Sequence, residues 1–170
     1  VSGDVTPDTA DHTDFGAVST VSGTIVRTFT IQNTGTAALS LTGLSPYVAL
    51  SGSTDFAVTA IPSNSIAASG STTFQVTFDP SLAGSDTNTV LIGSNDGDET
   101  IYSFDVSGLG TISTPVATAA TAVLPNGFTA NWNAVAGATS YEIDVYTIEN
   151  GVGSNPASAS WNFATASPSS

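Results

Sequence analysis

The sequence predicts an all-β protein built of two-layer sandwiches, and three observations predict it. Apolar residues recur at alternate positions in short runs, turn-forming Gly, Asn, Asp and Pro separate those runs, and no stretch sustains the i, i+3, i+4, i+7 apolar spacing of a helix. The runs recur every ~10–15 residues, a rhythm of sandwiches rather than of βα units.

The elements follow in order. Val26–Gln32 reads as a strand with Phe29 and Ile31 on one face and Thr28 and Thr30 on the other, turned by Asn33-Thr34-Gly35. Leu39 and Leu41 form the next inward pair, and Phe56 and Val58 the one after. STTFQVTFDP carries the clearest alternation, with Phe74, Val76 and Phe78 on one face, and it stops at Asp79-Pro80 because proline cannot donate to a ladder. Val90 and Ile92 lead into the turn Asn95-Asp96-Gly97-Asp98, and Tyr102, Phe104 and Val106 run back as the return strand of a hairpin.

The run from Arg27 to Pro80 (RTFTIQNTGTAALSLTGLSPYVALSGSTDFAVTAIPSNSIAASGSTTFQVTFDP), its closing segment DVSGLG at 105–110, and the stretch DFGAVSTVSGTIVRTFTIQNTGTAALSLTG at 14–43 carry a resemblance. They resemble the hydin-like, immunoglobulin-type repeat that bacterial sequences carry as the choice-of-anchor D domain. The resemblance spans residues 13–110. It implies an immunoglobulin-like β-sandwich without catalytic function, of a kind strung along secreted or surface proteins, especially those exported by type IX secretion in Bacteroidetes.

Beyond it the character changes. TISTPVATAATA is a Pro- and Ala/Thr-rich join, after which FTANWNAVAGATSYEIDVYT is similar to the first half of a fibronectin type III domain. In that likeness Trp132 is the early-strand core tryptophan, and Tyr141, Ile143 and Val145 alternate along the following strand. The remainder, with Trp161 and Phe163, shows no later strand of that family. The expected organisation is an acidic segment over 1–12, a sandwich over 13–110, a linker over 111–116, and a second, incomplete fibronectin type III-like β-sandwich with its tail over 117–170. The chain starts at Val1 with no export segment ahead of it, which reads as a processed or excised piece.

Composition narrows the function classes. The 170 residues contain no Cys, so thiol catalysis, disulfides and thiolate metal sites are excluded, and no apolar run is long enough to cross a bilayer as a helix. Fourteen carboxylates face one cationic side chain, Arg27, for a net charge of −13. Phosphate backbones and anionic membrane surfaces need several Lys or Arg contacts, so nucleic acid binding and direct membrane insertion are not expected. An acidic, sulfur-free chain fits an extracellular or cell-surface location.

The candidate chemistry is sparse. His12, the single histidine, lies in the polar run DVTPDTADHTDFG with no nucleophile motif to partner it, so no catalytic residue is expected. Calcium wants oxygen ligands gathered on loops, and two clusters qualify as candidates: Asp4, Asp8, Asp11 and Asp14, and Asp96, Asp98 and Glu99 of NDGDE. The second lacks the spacing of an EF-hand loop, and no other cofactor is expected. Arg27 shares the strand face of Phe29 and Ile31, which predicts a rim position with a structural salt bridge to Asp14 or Asp105. Tyr47, Tyr146 and Trp161 have no assigned core place and are candidates for stacking on a glycan ligand. Asp8-Thr9-Ala10 is similar to the sequon at which Bacteroidetes attach O-linked glycans, which marks Thr9 for glycosylation.

These readings lead to a non-catalytic module of a secreted or surface protein, a spacer or a fibre subunit associating with copies of itself or with neighbouring domains through β-strand edges. The rival readings are an accessory domain of a secreted nuclease or polysaccharide hydrolase, and an adhesin domain that binds glycan or protein.

Overall fold

A computed structural model describes residues 3–124, 127–141, 147–149 and 152–154. Among them there is no helix. The chain divides into two compact units, 1–112 and 113–170.

The first unit is built from β1 (Asp14–Ser19), β2 (Ile25–Gln32), β3 (Leu39–Ser40), β4 (Val48–Gly52), β5 (Phe56–Ala60), β6 (Ser65–Ile66), β7 (Ser71–Phe78), β8 (Gly84–Gly93) and β9 (Ile101–Thr111). One sheet runs β1-β9-β8-β4, a second β2-β7-β5, and β3 and β6 form a short pair of their own. β8 and β9 are the hairpin read around Asn95–Asp98, in continuous antiparallel register from Gly84↔Gly110 to Gly93↔Ile101. β1 instead lies parallel to β9, with a register shift between Asp14 and Ala17, where Gly16 takes a φ of 77°.

Alternation puts the expected residues inside. Phe74, Val76 and Phe78 of β7 are 1%, 0% and 0% exposed, and Val90, Ile92, Phe104 and Val106 face them from β8 and β9. Each such side chain stabilises the fold by about 1.5–3 kcal/mol relative to exposure. The rings form two groups. Phe15, Phe56 and Phe78 meet at one, with Phe56 stacked on Phe78 at 4.6 Å and edge-on to Phe15 at 5.3 Å. Phe29, Phe74 and Phe104 form the other, with centroids 5.4 and 5.2 Å from Phe29. Edge and offset contacts of this kind add to simple burial.

Three strands of this unit leave no alternating run in the sequence: β4, β1 and the two-residue β6, which buries Ile66. β4 follows the cis Ser45-Pro46 bond and brings Val48 into the core, with Tyr47 half-buried against it. β1 contributes Phe15 and Val18, at 0% and 5% exposure, from the acidic stretch near the N-terminus.

Asn33, read as a turn residue, is a buried clip between loops. Its amide nitrogen donates to the carbonyls of Ala37, Ile66 and Ala67 at 2.8, 3.0 and 3.1 Å, while its Oδ1 accepts from Gly35 N–H at 3.0 Å. The glycines of DVSGLG have a packing reason. A Cβ on Gly108 would run into the Phe78 ring, and one on Gly110 into the Leu82 carbonyl.

In the second unit β10 (Ala117–Leu124) pairs antiparallel with β11 (Gly127–Trp132), and β12 (Thr147–Glu149) with β13 (Val152–Ser154). Residues 112–116, ahead of β10, carry no regular structure. Trp132 ends β11 with its ring 5.5 Å from that of Tyr141, whose hydroxyl accepts a 2.7 Å bond from Val135 N–H. Tyr141 itself lies outside any strand. Ile143, Val145, Tyr146, Trp161 and Phe163 lie outside the described residues.

Two outcomes test these interior contacts. Asn33→Asp removes both amide donors while keeping size, so chemical denaturation should show a loss of about 1–3 kcal/mol, and an unchanged midpoint would contradict the clip. Arg27, the single trypsin site, is held in β2, so the folded chain should resist trypsin and be cut into two fragments only as it unfolds. Rapid cleavage under native conditions would show that β2 is not part of the cooperative core.

Candidate functional site

Between the two main sheets, on the side where β2 ends its sheet, lies a cavity of about 520 Å³, within the range of about 300–1,000 Å³ typical of ligand sites. The second ring group, Phe29, Phe74 and Phe104, lines it, and Ile31, Leu39, Leu41, Ile92 and Tyr102 complete the apolar wall. Asp4, Asp11, Asp96 and Glu99 bring carboxylates to the same space. The site is therefore greasy below and anionic around it, and Arg27 is not among its lining residues.

The four carboxylates arrive by two routes. Asp96 and Glu99 sit on the exposed β8–β9 turn, which is fastened to β3 by Asn95 N–H to the Ser40 carbonyl at 3.0 Å and Ser40 N–H to Asn95 Oδ1 at 2.8 Å. Asp4 and Asp11 come from the N-terminal segment, which is not a loose tail. Gly3 N–H donates to the Ser103 carbonyl at 2.7 Å and Asp105 N–H to the Asp4 carbonyl at 2.9 Å, so Asp4 forms a bridge beside Phe104.

That segment is a chain of aspartate-capped turns. Asp4 Oδ1 accepts from Thr6 N–H at 3.0 Å, Asp8 from Ala10 N–H at 2.7 Å, Asp11 from Thr13 N–H at 3.0 Å and Asp14 from Gly16 N–H at 2.8 Å. Each acid thus holds the backbone two residues on, the usual reason aspartate occurs in turns. Buried Thr13 ties two of them, donating its hydroxyl to Asp11 Oδ1 at 2.6 Å and accepting from Asp8 N–H at 2.8 Å. His12 is exposed at a φ of 71° and Thr9 is exposed in the Asp8 turn. Among the described residues no three acid or imidazole groups converge as metal ligands.

Hydrogen bonds and burial set the protonation of this region. The backbone and hydroxyl of Thr6 hold Asp4 below the ordinary carboxylate range, and the hydroxyl and backbone of Thr13 do the same for Asp11. Asp96 moves the other way, because a hydrogen bond with the Asp98 carboxyl favours its protonated form and the Asp98 charge adds to the effect. Burial pushes Tyr102 up, and the charges of Glu99 and Asp4 reinforce it.

Arg27 corrects an expectation. Its parity is as read, half-buried on the inner face of β2, yet it forms no ion pair among the described residues, and its buried Nε has no hydrogen-bond partner. The reason is strand alternation. Asp105 lies between inward Phe104 and Val106 and so faces outward, where it accepts from Thr89 Oγ1 at 2.7 Å, while Asp14 precedes inward Phe15 and caps the Gly16 turn. Of the proposed stacking rings, Tyr47 packs against the core and Tyr146 and Trp161 are outside the described residues. Alternation gives the inward direction of Phe29, Phe74 and Phe104 one by one but not the cavity they share. They come together along the side of β2 that no strand pairs among the described residues, and strand pairing is invisible in spacing.

Residues 8–108 match the profile of a family described as HYDIN/CFA65/VesB-like, Ig-like domain. No curated protein matches the chain in sequence. Among solved structures it is similar to a protein of unknown function from Porphyromonas gingivalis, at 20% identity over 56% of this chain and 42% of that one with a TM-score of 0.48. It is also similar to the secreted serine protease VesC from Vibrio cholerae, at 14% identity over 69% of this chain and 29% of that one with a TM-score of 0.44. The chain spans less than half the length of either.

The titrations give a signed prediction. Asp4 and Asp11 bind protons less tightly folded than unfolded, so their stabilisation is present above about pH 3.9 and is lost as pH falls through their lower folded values. Asp96 acts oppositely, stabilising in acid and losing that contribution as pH rises through its raised value. Thr6→Ala should move the Asp4 carboxyl midpoint upward in an NMR titration but leave it below the ordinary value, because the larger backbone bond remains. A midpoint that does not move would exclude the hydroxyl as a cause.

Proposed function

Because this chain belongs to the HYDIN/CFA65/VesB-like, Ig-like domain family, we propose that it is a non-catalytic structural module of a secreted or cell-surface bacterial protein, one that spaces and presents rather than transforms. In this reading the first unit is a choice-of-anchor D domain of the kind exported by type IX secretion in Bacteroidetes, and the second unit begins a fibronectin type III-like sandwich around Trp132.

The observation that carries the reading is how the polar groups are used. Four successive aspartates hold their own turns, Asn33 clips three carbonyls, and Thr13 bonds two neighbours. A reactive centre keeps its titratable groups free to meet substrate, with a base in reach of a nucleophile. These side chains are committed to the backbone, and the protein's chemistry is that of a surface.

Two measurements test it together. The purified chain should turn over no peptide, nucleic acid or polysaccharide substrate. Antibody raised against it should label intact cells of the producing organism or detect it in the medium. Turnover of any of these polymers, or confinement to the cytosol, would overturn the proposal.

A further inference from the structure

The geometry points to a strand-docking site at the outer edge of β2, built to take an extended, basic segment of a different protein. Three independent features converge on it. The first is the edge. β2 pairs with β7 from Ile25↔Phe78 to Gln32↔Ser71, and among the described residues no strand pairs its other side. β1, the strand nearest in sequence, has gone to β9 in the opposite sheet. An edge eight residues long with unpaired N–H and C=O groups is a template for strand addition.

The second feature is the cavity. Phe29, Thr30, Ile31 and Gln32 all line it. Successive side chains of a strand point to opposite faces, so four consecutive lining residues mean that the cavity meets β2 edge-on. A strand added there would place alternate side chains over the Phe29, Phe74 and Phe104 rings while its backbone completes the ladder.

The third feature is charge. Asp4, Asp11, Asp96 and Glu99 border the site, and the occupant therefore carries Lys or Arg beside its apolar positions. These 170 residues do not themselves supply that segment to a second copy: they hold no lysine, one arginine, and a net charge of −13. Arg27 itself adds to the discrimination. An inward-pointing charge on an edge strand discourages unselective pairing, and it sits at the first half of β2 while the cavity lies along the second.

The inference extends the reading of the chain as a presenting module, and its failure would leave that reading standing, since turnover and location decide the latter. The test uses two synthetic peptides with the same alternating Val/Thr centre, one flanked by Lys and one by Glu, titrated into the whole chain by calorimetry at low ionic strength. The Lys-flanked peptide should bind at least ~10-fold more tightly, with the difference shrinking as salt is added. Amides of β2 should gain protection from hydrogen exchange on binding. The double substitution D96N/E99Q removes two exposed carboxylates that hold no turn of the N-terminal segment, and it should weaken the Lys-flanked peptide severalfold without lowering Tm. Equal binding of both peptides, binding of neither, protection away from β2, or indifference to D96N/E99Q in a folded protein would each overturn the proposal.

Discussion

The pairing of β1 with β9 is the constraint from which most of the molecule follows. Once that first strand lies parallel to the end of β9, Phe15 and Val18 enter the core, and Phe15 completes the ring group with Phe56 and Phe78. Thr20 N–H to the Thr111 carbonyl at 2.9 Å and Thr111 Oγ1 to the Val18 carbonyl at 3.1 Å fasten its far end. The same choice takes β1 away from β2. β1 thereby becomes the outer strand of its own sheet, and among the described residues β2 is left as an outer strand of the opposite one.

The two ends of the interior consequently differ. Where β1 packs Phe15 against Phe56 and Phe78, the fit is tight enough that Gly108 is required beneath the Phe78 ring. Along the outer side of β2, which no strand pairs among the described residues, the Phe29, Phe74 and Phe104 rings that pack on one another also line a cavity. A protein interior is close-packed by default, so an opening over aromatic side chains needs a cause, and here the cause is topological.

Charge then distinguishes what may approach. Most aspartates near the N-terminus serve the backbone, yet holding a turn does not neutralise a carboxylate, and Asp4 and Asp11 stay ionised to lower pH than free aspartate. The groove therefore keeps its negative rim under ordinary conditions, against a protein surface with almost no cations to mask it. Structural and electrostatic uses of one side chain coexist because the first spends an oxygen lone pair and the second spends the net charge.

Much of the architecture was legible in order along the chain. The inward sets Phe29/Ile31, Phe74/Val76/Phe78, Val90/Ile92 and Phe104/Val106 are as their alternation says, because side-chain direction in a strand has a strict period of two and needs no partner to define it. The Asn95–Asp98 turn is equally local. β1 and β4 leave no regular alternation, since one is interrupted by the Gly16 bulge and the other follows a cis proline, and parity gives the direction of Arg27 but not of its partners. So the amino-acid order by itself determined that this protein is all-β, which faces are apolar, and that it is strongly acidic. Only the tertiary structure decided which strand lies beside which, and hence that β2 keeps a free edge among the described residues, that three rings share one cavity, and that carboxylates about ninety residues apart border it. Strand pairing is a long-range contact whose energy depends on all competing partners, and no local spacing records its outcome.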